Sequence, residues 1–280
     1  MDDATLNRVV RQHAQTAQLL GVDFVPAYTG RSRNVSQRPS PPSTTPAEVT
    51  INVKPSVIEP PKAACSSSAM IPRGNLAARE QAMSALRAKY EAEAPHQHFI
   101  TAHTRLVWGE GSLAARLVFV GEAPGEEEDR QGRPFVGRSG QLLEKMILGM
   151  GLKREDVYIC NVLKTRPPNN ATPSTREIEL CEPYLREQVA ILAPDAIVTL
   201  GLPASRALLH TDESMTRMRG RWRTYALAEG HTVPLMPTFH PAYVLRNYTV
   251  ETRTQVWNDL CQVMERLGLA PRANPAVSTT

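Results

Sequence analysis

A chain of 280 residues has room for one α/β domain of about 180 residues with segments to spare. The net charge of +4 and a pI near 9.0 suit a polyanionic partner without requiring one. No apolar run reaches the roughly 18 residues that a membrane-spanning helix needs, and the start at Met1-Asp2-Asp3 lacks the basic-then-apolar layout of a signal peptide. Cys65, Cys160, Cys181 and Cys261 are widely spaced and form no CxxC pair, which fits reduced thiols and a cytoplasmic location near the bacterial nucleoid.

In chain order, Leu6, Val9, Val10, Ala14, Ala17 and Leu20 recur at helical spacing and Gly21 follows as a stop, so residues 1–28 are expected to hold an amphipathic helix. Residues 29–75 carry seven prolines between Pro39 and Pro61, many Ser and Thr, and few large apolar side chains. Such a segment buries too little surface to offset its ordering entropy and reads as a disordered linker. A helix at about 76–93 opens the main domain, expected over 76–270, with a disordered tail at 271–280. From 101 onward strand and helix patterns alternate. Strands are expected at Leu117–Val120, Val157–Val162, Ala196–Leu200 and Leu235–Thr238; helices are expected at 139–150, 174–192, 203–210 and 252–267. This is the rhythm of a parallel sheet covered on both faces, a three-layer α/β/α sandwich with four parallel strands. Residues 1–100 carry eleven Lys and Arg against eight Asp and Glu, whereas the remainder is nearly balanced. Any polyanion-binding face of the main domain must therefore be a local patch.

Polar motifs follow the strands, where open α/β sheets build their sites. Gly121-Glu122-Ala123-Pro124-Gly125 is neither a GxGxxG fingerprint nor a Walker motif, and by itself it reads as an ordinary strand-to-helix turn. Glu126 to Asp129 set four carboxylates together; alone, such a run is a solvated face. Phe135 stands in the loop Gly132-Arg-Pro-Phe-Val-Gly-Arg-Ser-Gly140, either as an anchor beneath it or as a stacking platform for a base. Asn161 ends a strand, where an amide is either a turn former or a reader of a base edge. Lys164 to Asn170 form a basic, proline-rich loop, Leu200 to Leu209 read LGxxAxxxLL, and Thr238 to Arg246 read TFHPAYVLR.

The order of these motifs is more specific than any one of them. Over residues 104 to 265 they resemble the family 4 uracil-DNA glycosylases. The resemblance implies an enzyme that flips uracil out of DNA and hydrolyses its N-glycosidic bond, opening base-excision repair. It carries over Phe135 as the platform on which uracil stacks, and Asn161 as the reader of the uracil edge. His240 matches the imidazole near uracil O2. Glu122 and Ala123 match the loop beside the attacking water and the sugar, and Asn170 a position near water and phosphate. Glu128 matches a position that crowds the C5 face against thymine. Lys164, Arg166, Ser205, Tyr243 and Arg246 match positions toward the DNA. The other reading is a non-catalytic module of the same fold that binds DNA or a replication protein. The N-terminal helix is a candidate tether to a protein partner, and a monomer is expected.

The family typically holds a [4Fe–4S] cluster on four cysteines. Here the CxxC window at 92–99 reads Ala-Glu-Ala-Pro-His-Gln-His-Phe, Thr165 stands at the loop-cysteine position, and Cys181 alone matches a ligand. One thiolate cannot hold a cubane, and zinc on His96, His98 and Cys181 would be an unusual set. No metal and no cofactor are expected.

Overall fold

The computed structural model describes residues 71–72, 74–95, 104–227 and 230–269. The expected helix in 1–28, nearly all of the linker and the tail lie outside these. The described chain runs α1 (Leu76–Glu93), β1 (Glu110–Gly111), β2 (Leu117–Gly121), α2 (Glu126–Gln131), α3 (Arg138–Gly149), β3 (Tyr158–Asn161), α4 (Thr175–Leu192), β4 (Ala196–Leu200), α5 (Leu202–Leu209), α6 (Met215–Met218), β5 (Arg223–Ala226), β6 (Thr232–Thr238), α7 (Pro241–Arg246) and α8 (Val250–Leu267).

The strands form one mixed sheet in the order β1-β3-β2-β4-β6-β5. Its four central strands are parallel, as the sequence pattern implies, with Val118 opposite Tyr158 and Ile197, and Ile197 in turn opposite Leu235. The expectation of four strands needs correction to six, because β1 and β5 add antiparallel edges. β1 has only two residues, and β5 reads Arg-Thr-Tyr-Ala with a single buried side chain, Tyr225. Edges of this kind carry no apolar run by which sequence could announce them.

Alternation along each central strand sends side chains to two separate cores. Val118 and Val120 join Ile197 and Leu235 under α1, α4 and α5; Leu117 and Phe119 join Val198 and Met236 under α3 and α8. This is the three-layer sandwich. Arg79 of α1, fully buried, fastens that helix to the sheet by donating to the carbonyls of Ile71, Leu113 and Leu192.

β2 is flanked by β3 on one side and β4 on the other, so the chain reverses its direction of winding there. Such a switch point opens a crevice beyond the C-terminal strand ends. The ends of β2, β3, β4 and β6 are Gly121, Asn161, Leu200 and Thr238, and the four motifs begin there.

Candidate active site

A cleft of about 770 Å³ occupies that crevice. Of the residues singled out from sequence, it gathers Glu122, Ala123, Glu128, Phe135, Asn161, Asn170, His240, Tyr243 and Arg246. Lys164, Arg166 and Ser205 do not line it.

Phe135 forms one wall, and its backbone is held in the left-handed region at φ 51°. A non-glycine residue stays there only when its surroundings over-determine it. Arg154 donates to Phe135 O at 3.1 Å and also to Pro134 O, while Glu110 braces the Arg154 guanidinium. Gly140 passes so close that a Cβ on it would lie 2.0 Å from Phe135 O. From the other side Glu128 Oε1 accepts from the amides of Val136 at 2.8 Å and Gly137 at 2.9 Å, and Oε2 accepts from Gly125 at 3.2 Å. Glu128 therefore ties the loop after β2 to the Phe135 loop, a role that its place in the acidic run does not reveal. The rest of that run is also engaged: all four acids fill the first turn of α2, where the helix dipole favours them, and Asp129 accepts from the Arg105 amide at 2.7 Å.

Asn161 is 1% exposed, and its Oδ1 has no hydrogen-bond partner. The amide stands against Gly121, where a Cβ would lie 2.3 Å from Asn161 Oδ1 and 2.5 Å from the tip of the Phe135 ring. A buried acceptor left open toward a cavity is costly unless a ligand supplies its donor. Behind it lies Lys164, which the sequence reading set toward the DNA and which is buried. Its side chain is 0% exposed, and Nζ donates to Asn161 O at 2.8 Å and to Gln188 Oε1 at 2.6 Å, with the Trp108 ring centroid 5.3 Å away. Burial pushes the Lys164 ammonium below its ordinary pKa. The residue grips the backbone of Asn161 from inside the fold.

His240 caps the start of α7: its Nδ1 accepts from the Ala242 amide at 3.0 Å. That bond assigns the proton of the neutral ring to Nε2, which makes Nε2–H a donor. Burial first, and Arg246 second, drive its pKa down to about 4, against a smaller opposing pull from Glu128. The imidazole is thus neutral at physiological pH. Its ring centroid lies 5.6 Å from that of Phe135, and Gly201 at φ 91° makes room for it: a Cβ there would meet His240 Cβ at 2.9 Å.

Glu122 lines the cleft, its carboxylate makes no hydrogen bond among the described residues, and burial raises its pKa above the usual carboxylate value. Asn170, at φ 54°, lines the opposite rim, and its Oδ1 accepts from Arg166 Nε at 2.8 Å. Arg166 also pairs with Glu126 at 3.5 Å, so it fastens two rim loops together. Tyr243 is exposed, stacks on Phe239 at 4.7 Å, and shares α7 with Arg246, which agrees with a tip presented outward. Ser205, also set toward the DNA by the sequence reading, is fully buried in α5, donates to Gly201 O at 2.8 Å and bonds Thr199 Oγ1 at 2.8 Å, so it shapes the turn that admits His240.

At the two described positions that match cluster ligands, Thr165 and Cys181 are both buried. Cys181 Sγ faces Tyr90 Oη at 3.8 Å, and the Tyr90 ring packs edge-on against Trp108 and Tyr184. Burial raises the Cys181 pKa, so the sulfur is a thiol. One buried thiol among aromatic rings does not fit a group that takes four thiolates. Among the described residues no cluster of three or more His, Cys, Asp or Glu is arranged to hold a metal ion; His96 and His98 lie outside them.

The switch-point crevice of this α/β sheet is thus lined by a held aromatic, an open amide and a neutral imidazole. The family model "Uracil DNA glycosylase superfamily" matches residues 108–261. The chain belongs to that superfamily. It is 48% identical over 158 residues to the type-4 uracil-DNA glycosylase of Thermotoga maritima, covering 56% of this chain and 80% of the relative. Identity to the type-4 enzyme of Archaeoglobus fulgidus is 42% over 168 residues, covering 59% and 83%. Identity to the type-5 uracil-DNA glycosylase of Pyrobaculum aerophilum is 32% over 164 residues, covering 52% and 71%.

Proposed function

We propose that the protein is a type-4 uracil-DNA glycosylase: it hydrolyses the bond between uracil N1 and the deoxyribose C1′ of a nucleotide flipped out of DNA. The observation that carries this reading is the pairing, in one cleft, of an open buried acceptor on Asn161 with a neutral His240 that has Nε2–H to donate. Uracil offers the complement: N3–H for Asn161 Oδ1, O4 for the amide Nδ2, and O2 for His240, with its ring flat on Phe135.

As the C1′–N1 bond breaks, its electrons pass to the base and negative charge gathers at O2, while the sugar becomes cationic. A preorganised neutral donor at O2 stabilises that charge without first having to give up a proton. Glu122, raised in basicity by burial, orients water and takes its proton as the oxygen bonds C1′. Its negative charge also favours the sugar cation.

We further propose that this chemistry proceeds without an iron–sulfur cluster, that the enzyme is a monomeric cytoplasmic repair protein, and that residues 1–28 engage a protein partner. What supports the first is the aromatic packing around Cys181 and the absence of cysteine at the three other matching positions.

Purified protein incubated with a uracil-containing oligonucleotide and then treated with alkali should break the strand at uracil, and iron analysis should find none in stoichiometric amount. Binding without strand breaks, at enzyme excess and across a range of salt, would instead favour a non-catalytic DNA-binding module.

A further inference from the structure

A second, shallower groove of about 430 Å³ lies against the far side of α7, outside the cleft. Its lining is Arg138, Gln141, Leu142 and Lys145 of α3, with Leu245 and Tyr248 from the end of α7 and just beyond. The α3 residues recur every three to four positions, so they share one helix face. Leu142 is buried and Leu245 half-buried, while Arg138 and Lys145 stand exposed. Neither cation has an ion-pair partner recorded among the described residues. The field of their acidic neighbour Glu144 is felt at Arg133.

Tyr248 is 41% exposed, yet its position is braced. The guanidinium of Arg253, itself 6% exposed, sits 4.7 Å from the ring centroid. A ring that is braced and partly exposed, beside two exposed cations with no ion pair among the described residues, is the combination that binds a single nucleic-acid strand: phosphates at the cations and a base on the aromatic side chain. A purely apolar partner would leave both cations desolvated and unpaired.

We propose that this groove binds the DNA strand that runs on from the extruded nucleotide, with phosphates at Arg138 and Lys145 and an unstacked base on Tyr248. The inference rests on the reading of the cleft as a uracil site. α7 is the shared wall: Tyr243 and Arg246 line the cleft, and Leu245 lines the groove. A strand that delivers a nucleotide into the cleft passes over α7 and reaches the groove next.

The test uses the full chain, the double variant Arg138→Gln/Lys145→Gln and the variant Tyr248→Ala. Uracil release is measured on a long single strand and on a trinucleotide with central uracil; anisotropy titration follows binding of a long uracil-free strand at several salt concentrations. For the double variant, the salt slope of binding should fall by about 1.4, two phosphates at roughly 0.7 each on a single strand. KM and Kd for the long strand should rise about ten-fold, with kcat and trinucleotide cleavage unchanged. Tyr248→Ala should weaken long-strand binding several-fold and leave the salt slope as it was. An unchanged Kd and salt slope in the double variant would overturn the proposal. So would an equal loss on the trinucleotide, which would place these residues in the cleft itself. If the wild-type chain released no uracil at all, the uracil reading would fail, while the anisotropy arm would still report on the groove.

Discussion

The floor of the cleft and the interior directly behind it are made of similar side chains and do opposite things with them. Behind the floor, Lys164 closes on Asn161 O and Gln188, and Gln188 Nε2 donates to Trp108 O at 3.2 Å and Tyr158 Oη at 3.0 Å. On the cleft side Asn161 Oδ1 is left open, the His240 ring spends only its Nδ1, and the Glu122 carboxylate makes no hydrogen bond among the described residues. An unpaired buried group is not by itself a site, since Trp108 Nε1 is unpaired within the interior as well. What marks a ligand position is an unpaired group that faces open volume. The interior supplies rigidity and the cleft keeps its bonding capacity for the substrate.

Removing the groups that face the open cleft should therefore cost far more in rate than in stability. His240→Ala and Asn161→Ala should each lower the single-turnover rate by roughly two to three orders of magnitude, about 3–4 kcal/mol of lost transition-state stabilisation. The Asn161→Ala melt should match wild type, whereas His240→Ala also loses the α7 cap and should cost about 1 kcal/mol of stability. A variant that keeps the wild-type rate would remove its residue from the site.

Glu122 sharpens the contrast through pH. It must be ionised to accept a proton, and burial raises its pKa, so activity should fall as pH drops through a value above the ordinary carboxylate range. His240, with its pKa near 4, stays neutral wherever Glu122 is ionised and adds no second limb at neutral pH. Glu122→Gln should lose roughly a hundred-fold in rate and abolish the acid limb. An acid limb that persists in the variant would assign it to another group.

Lys164→Met strikes the interior and should show the reverse pattern. Losing a buried partner to two carbonyl oxygens should cost about 1–3 kcal/mol of stability, read by urea denaturation, with a rate loss smaller than that of Asn161→Ala. A rate loss as large as that of Asn161→Ala at unchanged stability would mean that Lys164 acts in the chemistry.

The smallest effect is expected in selectivity. Glu128 lines the cleft and holds the Phe135 loop, so Glu128→Ala should both open space beside the base and loosen its platform. Release of thymine relative to uracil should rise by up to about ten-fold, the scale of one methyl group in a pocket. An unchanged ratio would confine Glu128 to loop anchoring.

The parallel core of the fold was legible because β2 and β4 are buried on both faces and so appear as apolar runs, interrupted only by Thr199 in β4. Most of the cleft was legible for a related reason: its residues follow those runs directly. The inward placement of Lys164 and Ser205 was not legible, for one shared reason. A polar residue in a loop or at the start of a helix carries no local sign of facing inward. Neighbouring elements did carry one. Gln188 falls on the buried stripe of α4 with Cys181, Leu185, Val189 and Leu192, and a polar group on such a stripe calls for a buried partner. Ser205 sits on the stripe of Ala204, Ala207 and Leu208. Arg154, which holds the Phe135 loop by its carbonyls, had no sequence signal, because long-range bonds to backbone oxygen leave no pattern in side-chain spacing.

Gly121, Gly140 and Gly201 extend the site beyond anything a substrate would touch. Each stands where one added methyl would strike Asn161 and Phe135, the Phe135 backbone, or His240. The mutational target for loss of activity is therefore larger than the set of contact residues. It includes three positions at which Gly→Ala, the mildest exchange on most substitution scales, should be among the most damaging. A survey of variants in this chain that scored them by chemical similarity would rank these three as harmless.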